Sequence, residues 1–401
     1  MDAGFWKAGN RATLFAAFLY FDVSFMVWVL LGPLGVDIAR DLHLSPAQKG
    51  LMVATPVLVG ALLRIVNGLL VDRIKPRMTG LLGQMVVMIG LLLAWLAGIE
   101  SFTGVLLLAA VLGVAGAAFA VALPLASRWY PPQYQGTALG IAGAGNSGTV
   151  LASLFAPTLA VAFGWRNVIG LAVLPLLVAF IVFVRYAQDS PNNPPPRPFR
   201  DYFKPLSGSD AWWFMFFYSV SFGGFVGLAA SLPIYFNDQF GLSSVAAGYF
   251  TAACVFAGSL VRPLGGALAD RIGGIRTLTV MFLVAALALA AVGGGLSTAL
   301  AALPVFIVAM LALGVCNGAI FQLVPQRFRD EIGVMTGLVG MAGGIGGFYL
   351  ASSLGFARQL TGSYQNGFYI FAALALFALV GLTAVKRRWR TTWGAVAQAR
   401  I

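Results

Sequence analysis

Residues 61–74 are ALLRIVNGLLVDRI, and residues 259–272, which lie 198 positions later, are SLVRPLGGALADRI. The two segments share seven identities: Leu62, Arg64, Gly68, Leu70, Asp72, Arg73 and Ile74 recur as Leu260, Arg262, Gly266, Leu268, Asp270, Arg271 and Ile272. The same offset pairs Tyr20 with Tyr218, Gly116 with Gly314, Gly145 with Gly343 and Gly148 with Gly346. A register that holds along the chain indicates two parallel halves, an arrangement typical of transporters whose site lies between them.

The composition is that of a membrane protein. Of the 401 residues, 60% are hydrophobic and 9% are charged, and the mean hydropathy is +0.89. Soluble domains average about 25% charged residues, so this chain cannot cover a surface that faces water. No nucleophile, paired carboxylate or metal cluster stands out, so we predict no enzymatic activity, no cofactor and no metal. Cys254 and Cys316 lie in apolar runs and are predicted to be small buried side chains.

Twelve apolar stretches are long enough to cross a bilayer, which takes about 20 residues. They are about 13–38, 47–70, 78–98, 102–128, 135–160, 165–187, 211–237, 243–270, 275–297, 301–326, 331–356 and 364–388. Residues 188–210 are rich in proline, asparagine and charge, which predicts a polar linker between residues 1–187 and 211–401. The predicted fold is an all-α membrane protein with twelve transmembrane helices in two pseudo-symmetric six-helix halves.

The basic residues predict the orientation. With a cytoplasmic N-terminus, nineteen of the 25 Lys and Arg residues fall on the cytoplasmic side, and the other side receives four: Arg40, Lys49, Arg166 and Arg358. Cytoplasmic loops of membrane proteins carry such an excess of positive charge. We therefore expect a multi-pass protein of the inner (plasma) membrane with both termini and the linker in the cytoplasm.

Two arginines lie inside predicted spans. Arg64 and Arg262 each precede an Asp-Arg pair by eight residues, which places them about 12 Å into the membrane. Burial of arginine there costs roughly 2.5–3.5 kcal/mol, and arginine stays charged. Snorkelling or pairing with a buried acid is the alternative, but only Asp22 lies well inside a span. An anion from solution is the simpler partner, and the planar guanidinium fork suits a planar oxyanion.

Other residues support two interpretations each. The glycines of 140–148 and 337–347 suit close helix packing, while Asn146 among them offers either an anion contact or an interhelix bond. Phe119, Phe321 and Tyr218 are mid-span aromatics that line either a site or the core. The motif G-x-x-x-D-R predicts a gate at two span ends, or an anchor to the bilayer surface, formed by Asp72, Arg73, Asp270 and Arg271.

With these residues in hand, the chain resembles the major facilitator superfamily, and within it the nitrate/nitrite porter (NarK-like) family. The superfamily resemblance covers all twelve spans and includes the loop motif, from which Lys75 departs because glycine is usual there. The narrower match rests on GAGNSG at 143–148 and GMAGGIGG at 340–347, with the signature glycines Gly143, Gly145, Gly148, Gly343, Gly344 and Gly346. The resemblance implies an anion clamped by Arg64 and Arg262, hydrogen-bonded by Asn146 and Tyr218, and sandwiched by Phe119 and Phe321.

The predicted function is nitrate transport by alternating access, as nitrate/proton symport. The alternatives are nitrate/nitrite antiport and a porter for another small anion; a channel, a receptor or a drug porter is a further class. Asp22 is either the proton-coupling site or a structural group, namely a counter-ion for an arginine or a hydrogen-bond acceptor at a helix end, and His43 is a weaker candidate for a proton relay. The expected partners are nitrate or nitrite, protons and the lipid bilayer, with no nucleic acid, and the expected state is a monomer.

Overall fold

The computed structural model describes residues 3–191, 198–328 and 331–395, and this part of the chain is helical without a β-strand. Twelve stretches are long and apolar enough to cross a membrane. They are numbered spans 1 to 12: Arg11–Trp28, Pro46–Ile74, Pro76–Ala97, Phe102–Ser127, Thr137–Phe163, Trp165–Tyr186, Ser209–Phe240, Ser244–Ile272, Gly274–Gly293, Ala299–Arg327, Ile332–Thr361 and Gln365–Thr391. The prediction of twelve transmembrane helices is confirmed.

Three spans of the first half are interrupted. Span 4 consists of helices Phe102–Gly116 and Phe119–Ser127, and span 6 of Trp165–Leu171 and Val173–Tyr186. Span 5 begins within the helix Pro132–Gly143 and continues through a 3-10 turn at Ala144–Ser147 into the helix Gly148–Phe163. The shorter elements are the helices Ala3–Ala8 and Gly35–Asp41 and the 3-10 segments Phe199–Ser207 and Trp393–Ala395. Spans 10 and 11, the repeat partners of spans 4 and 5, are continuous helices.

Span 1 is shorter than predicted. The apolar stretch continues to residue 38, but the helix ends at Trp28 and turns lead to the short helix that begins at Gly35. Gly32 in these turns packs against the backbone of Ala230 in span 7, and the following proline cannot donate a helical hydrogen bond. Span 7 begins at Ser209, inside the predicted linker. Residues 192–197 of that linker lie outside the described part, and the division at 187 and 211 stays a prediction.

Polar caps begin four of the spans at the same end of the bundle. Ser45 forms a capping box with Gln48 before span 2, and Ser101, Ser243 and Thr298 accept hydrogen bonds from backbone N–H groups at the starts of spans 4, 8 and 10. Each cap satisfies an N–H that the helix itself leaves unpaired. Ser45 and Ser243 are 198 residues apart, so the internal repeat extends to the caps.

The outer face of the bundle is apolar. Several large apolar side chains are at least two-thirds exposed, which suits contact with acyl chains: Leu96, Leu107, Val161, Leu300 and Leu360. The centre is filled by buried aromatic and small side chains, and both cysteines are buried and free, as predicted.

The two ends of the bundle differ in how the halves meet. We call the end near the Phe199–Ser207 segment the linker side and the other end the opposite side. On the opposite side, Gly50 of span 2 packs against Gly355 of span 11, and Gly248 of span 8 packs against the Ser153 carbonyl of span 5. A cavity that begins at Arg64 and Gly68 extends on the linker side to Phe203 and Gly333. The centre of the bundle is therefore sealed from the opposite side.

Candidate anion-binding site

Arg64 is fully buried at the middle of span 2, where its side chain bonds to two backbone carbonyls. Its Nη1 donates to the Gly340 carbonyl of span 11, and its Nε donates to the Gly116 carbonyl at 3.4 Å. The break in span 4 explains the second bond, because Gly116 lies at the end of a helix and its carbonyl is not used by a following helical turn. Asn67 donates to the Ala117 carbonyl at the same break, at 3.1 Å. Arg64 Nη2 has no partner among the described residues.

Three aromatic rings surround the Arg64 guanidinium. Its Cζ lies 5.4 Å from the Trp28 ring centroid, 5.0 Å from that of Phe119 and 5.3 Å from that of Phe222. Aromatic faces attract a cation without neutralising its charge. The Trp28 ring is held in turn, since its Nε1 donates to the Pro56 carbonyl at 2.8 Å. Neither Arg64 nor Arg262 forms an ion pair with an acid in the described ranges.

Arg262 approaches the same point from the second half. Its Nη2 donates to the Tyr218 hydroxyl at 3.3 Å, and its Cζ lies 5.3 Å from the Phe321 ring and 6.0 Å from the Phe119 ring. Tyr218 and Phe321 meet edge to face at 5.0 Å. Arg262 Nη1 is buried and lacks a partner among the residues described. The Phe119 ring is thus close to both guanidinium groups, which reach it from different halves.

The structure brings five of the six predicted binding residues into direct contact with one another. The rings of Phe119 and Phe321 are 6.1 Å apart at an angle of 60°. They therefore do not form two parallel faces in this conformation, and the sandwich around a flat anion stays a prediction. Asn146 is not among these contacts: it lies on the 3-10 turn of span 5, which packs against spans 1 and 8, and its Oδ1 is buried without a hydrogen-bond partner in the described chain.

Asp22 is attached to the same turn. Its carboxylate accepts a hydrogen bond from Ser147 Oγ at 2.6 Å and another from the backbone N–H of Gly148, the first residue of the helix that completes span 5. The side chain is buried in span 1. Asp22 is therefore placed next to Asn146, and it also acts as an acceptor at a helix start, so both interpretations of this residue persist.

The signature glycines are in contact with neighbouring spans, with one exception. Gly145 and Gly148 face span 1, while Gly343, Gly344 and Gly346 face spans 7 and 2. The contacts are closest at Gly148 and Gly346, where a Cβ atom would lie 1.8 Å from the Asp22 carbonyl oxygen and 1.9 Å from that of Ser219. Gly143 has open space at this position. Close helix packing accounts for five of the six glycines.

The predicted gate residues lie at the linker ends of spans 2 and 8. Asp72 pairs with Arg128 at 3.1 Å, which joins the ends of spans 2 and 4 within the first half. Arg73, Asp270 and Arg271 are exposed. The bridge to a neighbouring helix end is present, and its role in gating stays a prediction.

A contact between the halves that the motifs did not indicate lies on the opposite side. Lys49 Nζ donates to both carboxylate oxygens of Asp238, at 2.9 and 3.0 Å, and the Tyr364 hydroxyl donates to Asp238 at 2.7 Å. Burial, with a smaller contribution from Asp238, raises the pKa of Tyr364, so the phenol remains a donor. Ala47 N–H also donates to Gln359 Oε1 at 3.0 Å. These bonds hold the opposite side closed.

Sequence reasoning missed the other residues that hold Arg64. Phe222 follows Tyr218 by four residues and therefore lies on the same helix face, so the sequence could have predicted its place beside the site. Trp28 and the carbonyls of Gly116 and Gly340 carry no comparable signal, because they depend on a helix break and on how two spans approach each other.

Comparison with known proteins agrees with this architecture. The family model described as Major Facilitator Superfamily matches residues 13–351. The chain is 34% identical to the "Probable nitrate/nitrite transporter NarK2" of Mycobacterium tuberculosis, over 92% of this chain and 95% of that protein. It is 32% identical to the "Probable nitrate/nitrite antiporter NarK1" of Thermus thermophilus, over 93% and 91% of the two chains.

A solved structure shares the fold at low sequence identity. The crystal structure of a bacterial homologue of the human lysosomal transporter Spinster, in an inward-facing and occupied conformation, superposes with a TM-score of 0.68. The alignment has 18% identity and covers 96% of this chain and 98% of the other.

The twelve spans and the matches define a multi-pass membrane transporter. The chain belongs to the major facilitator superfamily and, within it, to the nitrate/nitrite porter family.

Proposed function

We propose that this protein carries nitrate, and nitrite, across the plasma membrane by alternating access, with the anion held between Arg64 and Arg262. One observation carries the proposal: a fully buried guanidinium group, that of Arg64, and a partly buried one, that of Arg262, flank one ring from different halves and lack an acidic partner in the part of the chain described. Each also has a buried nitrogen without a hydrogen-bond partner in that part, Arg64 Nη2 and Arg262 Nη1. Those N–H groups suit the oxygens of a small planar anion. Relatives named for nitrate and nitrite support the choice of anion.

The arrangement of the two ends supports alternating access. With the linker in the cytoplasm, as the basic residues predict, the outer side of this conformation is closed, and the small cavity next to Arg64 lies on the cytoplasmic side. Opening toward the outside requires the bonds from Lys49 and Tyr364 to Asp238 to separate. An anion between the arginines lowers their mutual repulsion, so the halves close around it more readily.

We place proton coupling at Asp22. Its carboxylate holds Ser147, the last residue of the turn that carries Asn146, and Gly148, the residue that follows this turn. Protonation replaces one acceptor by a donor, so the hydrogen bonds of this turn change next to the anion site. A proton bound in span 1 and an anion bound at the arginines then move together, which is nitrate/proton symport.

Nitrate/nitrite exchange is the second candidate, and the arginine pair itself favours it. Without an anion, closure of the halves brings two uncompensated cations into a dry site, which is costly. An exchanger avoids this step because every reorientation carries an anion. The Thermus thermophilus relative is named as an antiporter.

Uptake of isotope-labelled nitrate into proteoliposomes tests the function and separates the two modes. Symport predicts accumulation driven by a proton gradient alone, up to about tenfold for each pH unit when one proton accompanies each nitrate. Exchange predicts uptake only when nitrite or nitrate is inside. Vesicles that take up no nitrate under either condition would contradict the proposed function.

Asp22→Asn is the variant that tests the coupling site. The carboxamide keeps an oxygen that accepts from Ser147, so the turn should hold its position, but the group no longer takes up a proton. We expect gradient-driven accumulation to fall from about tenfold for each pH unit to none, while exchange persists.

The matched control is Asp41→Asn, which changes an acid outside the spans that accepts from Trp165 Nε1. This control should retain accumulation. Undiminished accumulation in Asp22→Asn would assign Asp22 to a purely structural role.

A further inference from the structure

Three polar side chains lie next to the arginine site, one helical turn toward the opposite side. Ser221 follows Tyr218 by three residues in span 7, Ser259 precedes Arg262 by three in span 8, and Asn317 precedes Phe321 by four in span 10. Residues three or four apart share a helix face and differ in height by roughly 4.5–6 Å. Span 7 runs away from the linker side, and spans 8 and 10 run toward it. Ser221, Ser259 and Asn317 therefore all lie closer to the opposite side than Tyr218, Arg262 and Phe321 do.

Contacts on either side of Ser221 and Asn317 place both residues where span 7 meets spans 8 and 10. Spans 7 and 8 meet at the Tyr218–Arg262 hydrogen bond and again where Phe225 packs on Gly258, and Ser221 lies between these contacts. Spans 7 and 10 meet where Tyr218 packs on Phe321 and again where Leu313 packs on Gly224.

Asn317 lies between those two contacts, at the level of Ser221. We call Ser221, Ser259 and Asn317 the outer polar layer.

Ser259 also faces the first half. Ala61 of span 2 packs against Gly344 of span 11. In the internal repeat, Ser259 is the equivalent of Ala61 and Asn146 is the equivalent of Gly344, so Ser259 and Asn146 are expected to pack in the same way. The turn that contains Asn146 packs against span 8, as this correspondence requires. The layer therefore adjoins Asn146 as well as Arg262.

Each member of the outer polar layer is buried with a polar atom that has no hydrogen-bond partner among the residues described. Ser221 is 0% exposed, Ser259 4% and Asn317 1%, and the atoms are Ser221 Oγ, Ser259 Oγ and Asn317 Oδ1. Several other buried hydroxyls in the spans donate to a carbonyl one turn back, as Ser153 does to Thr149 and Thr251 to Ala247. A buried polar group without a partner is costly, so three together point to a polar ligand.

The first half has no equivalent layer. The repeat partners of Ser221, Ser259 and Asn317 are Val23, Ala61 and Phe119. The same positions are thus polar in one half and apolar in the other, and the asymmetry lies beside an otherwise matched pair of arginines. A requirement of the shared fold would apply to both halves, so the polar layer serves a function specific to the second half.

We propose that the outer polar layer hydrogen-bonds the oxygen of a trigonal oxyanion that the two arginines do not hold, and so sets the preference for nitrate over nitrite. This inference rests on the proposed function. Nitrate has three oxygens in a plane; two face the guanidinium groups, and the third faces the sealed side, where the layer replaces water. Nitrite has two oxygens and leaves the layer without a partner. A site built to bind a polar group discriminates strongly against a ligand that lacks it.

Binding of nitrate and of nitrite to the purified full-length protein tests the proposal, with affinities measured by calorimetry in one detergent. We expect the Ser221→Ala/Ser259→Ala double variant to bind nitrate about tenfold more weakly, because two hydrogen bonds are lost, and to bind nitrite within about twofold of the wild type. Ser221→Thr keeps a hydroxyl and should retain nitrate affinity.

Ser231→Ala is the matched control, since Ser231 is a buried serine of the same span whose Oγ also lacks a partner among the described residues, ten positions farther from the arginines. It should leave both affinities unchanged. Equal changes for the two anions in the double variant, or none, would overturn the role of the layer. A wild-type protein that binds neither anion would instead overturn the proposed function, and the layer with it. If the double variant does not fold, Ser259→Ala alone is measured, and the same comparison of the change in nitrate affinity with the change in nitrite affinity decides.

Discussion

Arg64→Lys and Arg262→Lys are each expected to lower nitrate uptake about 100-fold, although both keep the positive charge. Arg64 uses Nη1 and Nε on the carbonyls of Gly340 and Gly116, which leaves Nη2 for the anion. A lysine ammonium carries its three donors on a single nitrogen, so it cannot reach two carbonyls on different spans and an anion, for which Arg64 offers three separate nitrogens. The loss of one charge-assisted hydrogen bond, worth about 1.5–3 kcal/mol, is sufficient for an effect of this size.

The two variants are expected to fail for different reasons. Arg64→Lys also releases a contact between the halves, because Gly340 belongs to span 11. Arg262→Lys releases only the Tyr218 hydroxyl, within the second half. Nitrate binding should therefore fall in both, while the thermal stability of the purified protein should fall more in Arg64→Lys.

Arg276→Lys is the control for both arginine variants, since Arg276 is exposed near the start of span 9. It should transport as the wild type does. Uptake at the wild-type rate in either Arg64→Lys or Arg262→Lys would show that the planar guanidinium group is not needed, and would contradict the proposal that the anion binds between the two arginines.

The helices and the placement of the arginines could be predicted from the sequence because they depend on local patterns. Apolar length decides that a segment spans the bilayer, and a repeat register places Arg64 and Arg262 at matching depths. Two matching depths in parallel halves bring the residues to the shared centre. The pattern alone left Phe119, Phe321 and Tyr218 open between a site and the core, and only the family resemblance implied their place beside the arginines.

The breaks could not be predicted, and they decide what Arg64 binds. Span 4 is as apolar at Gly116 as elsewhere, so hydropathy gives no sign that its helix stops there. The same holds for the end of span 1 at Trp28, where the apolar stretch continues. A break is stable only when neighbouring spans satisfy the freed backbone groups, as Arg64 and Asn67 do. It is therefore a property of the packed bundle, and so is the Lys49–Asp238 contact.

The signature glycines lead to the second large effect. Gly148→Ala and Gly346→Ala are each expected to destabilise the protein by about 1–3 kcal/mol or more, and to abolish transport, because the added methyl group meets a backbone carbonyl. The clash at Gly148 is with the Asp22 carbonyl and that at Gly346 with the Ser219 carbonyl. A backbone atom cannot rotate away as a side chain does, so span 1 must separate from span 5, or span 7 from span 11.

Gly143→Ala separates packing from every other role of these motifs. Gly143 belongs to the same signature but has open space where a Cβ would lie, and it ends a helix in which alanine is favoured over glycine by up to about 1 kcal/mol. We expect its thermal unfolding midpoint in detergent to equal or exceed that of the wild type, while those of Gly148→Ala and Gly346→Ala fall. If all three variants lose transport and none loses stability, the signature glycines act on the anion or on its movement, and close packing does not explain them. If only Gly148→Ala and Gly346→Ala lose both transport and thermal stability, the glycines of each signature serve close packing, in which a backbone carbonyl of one span contacts a glycine of the next.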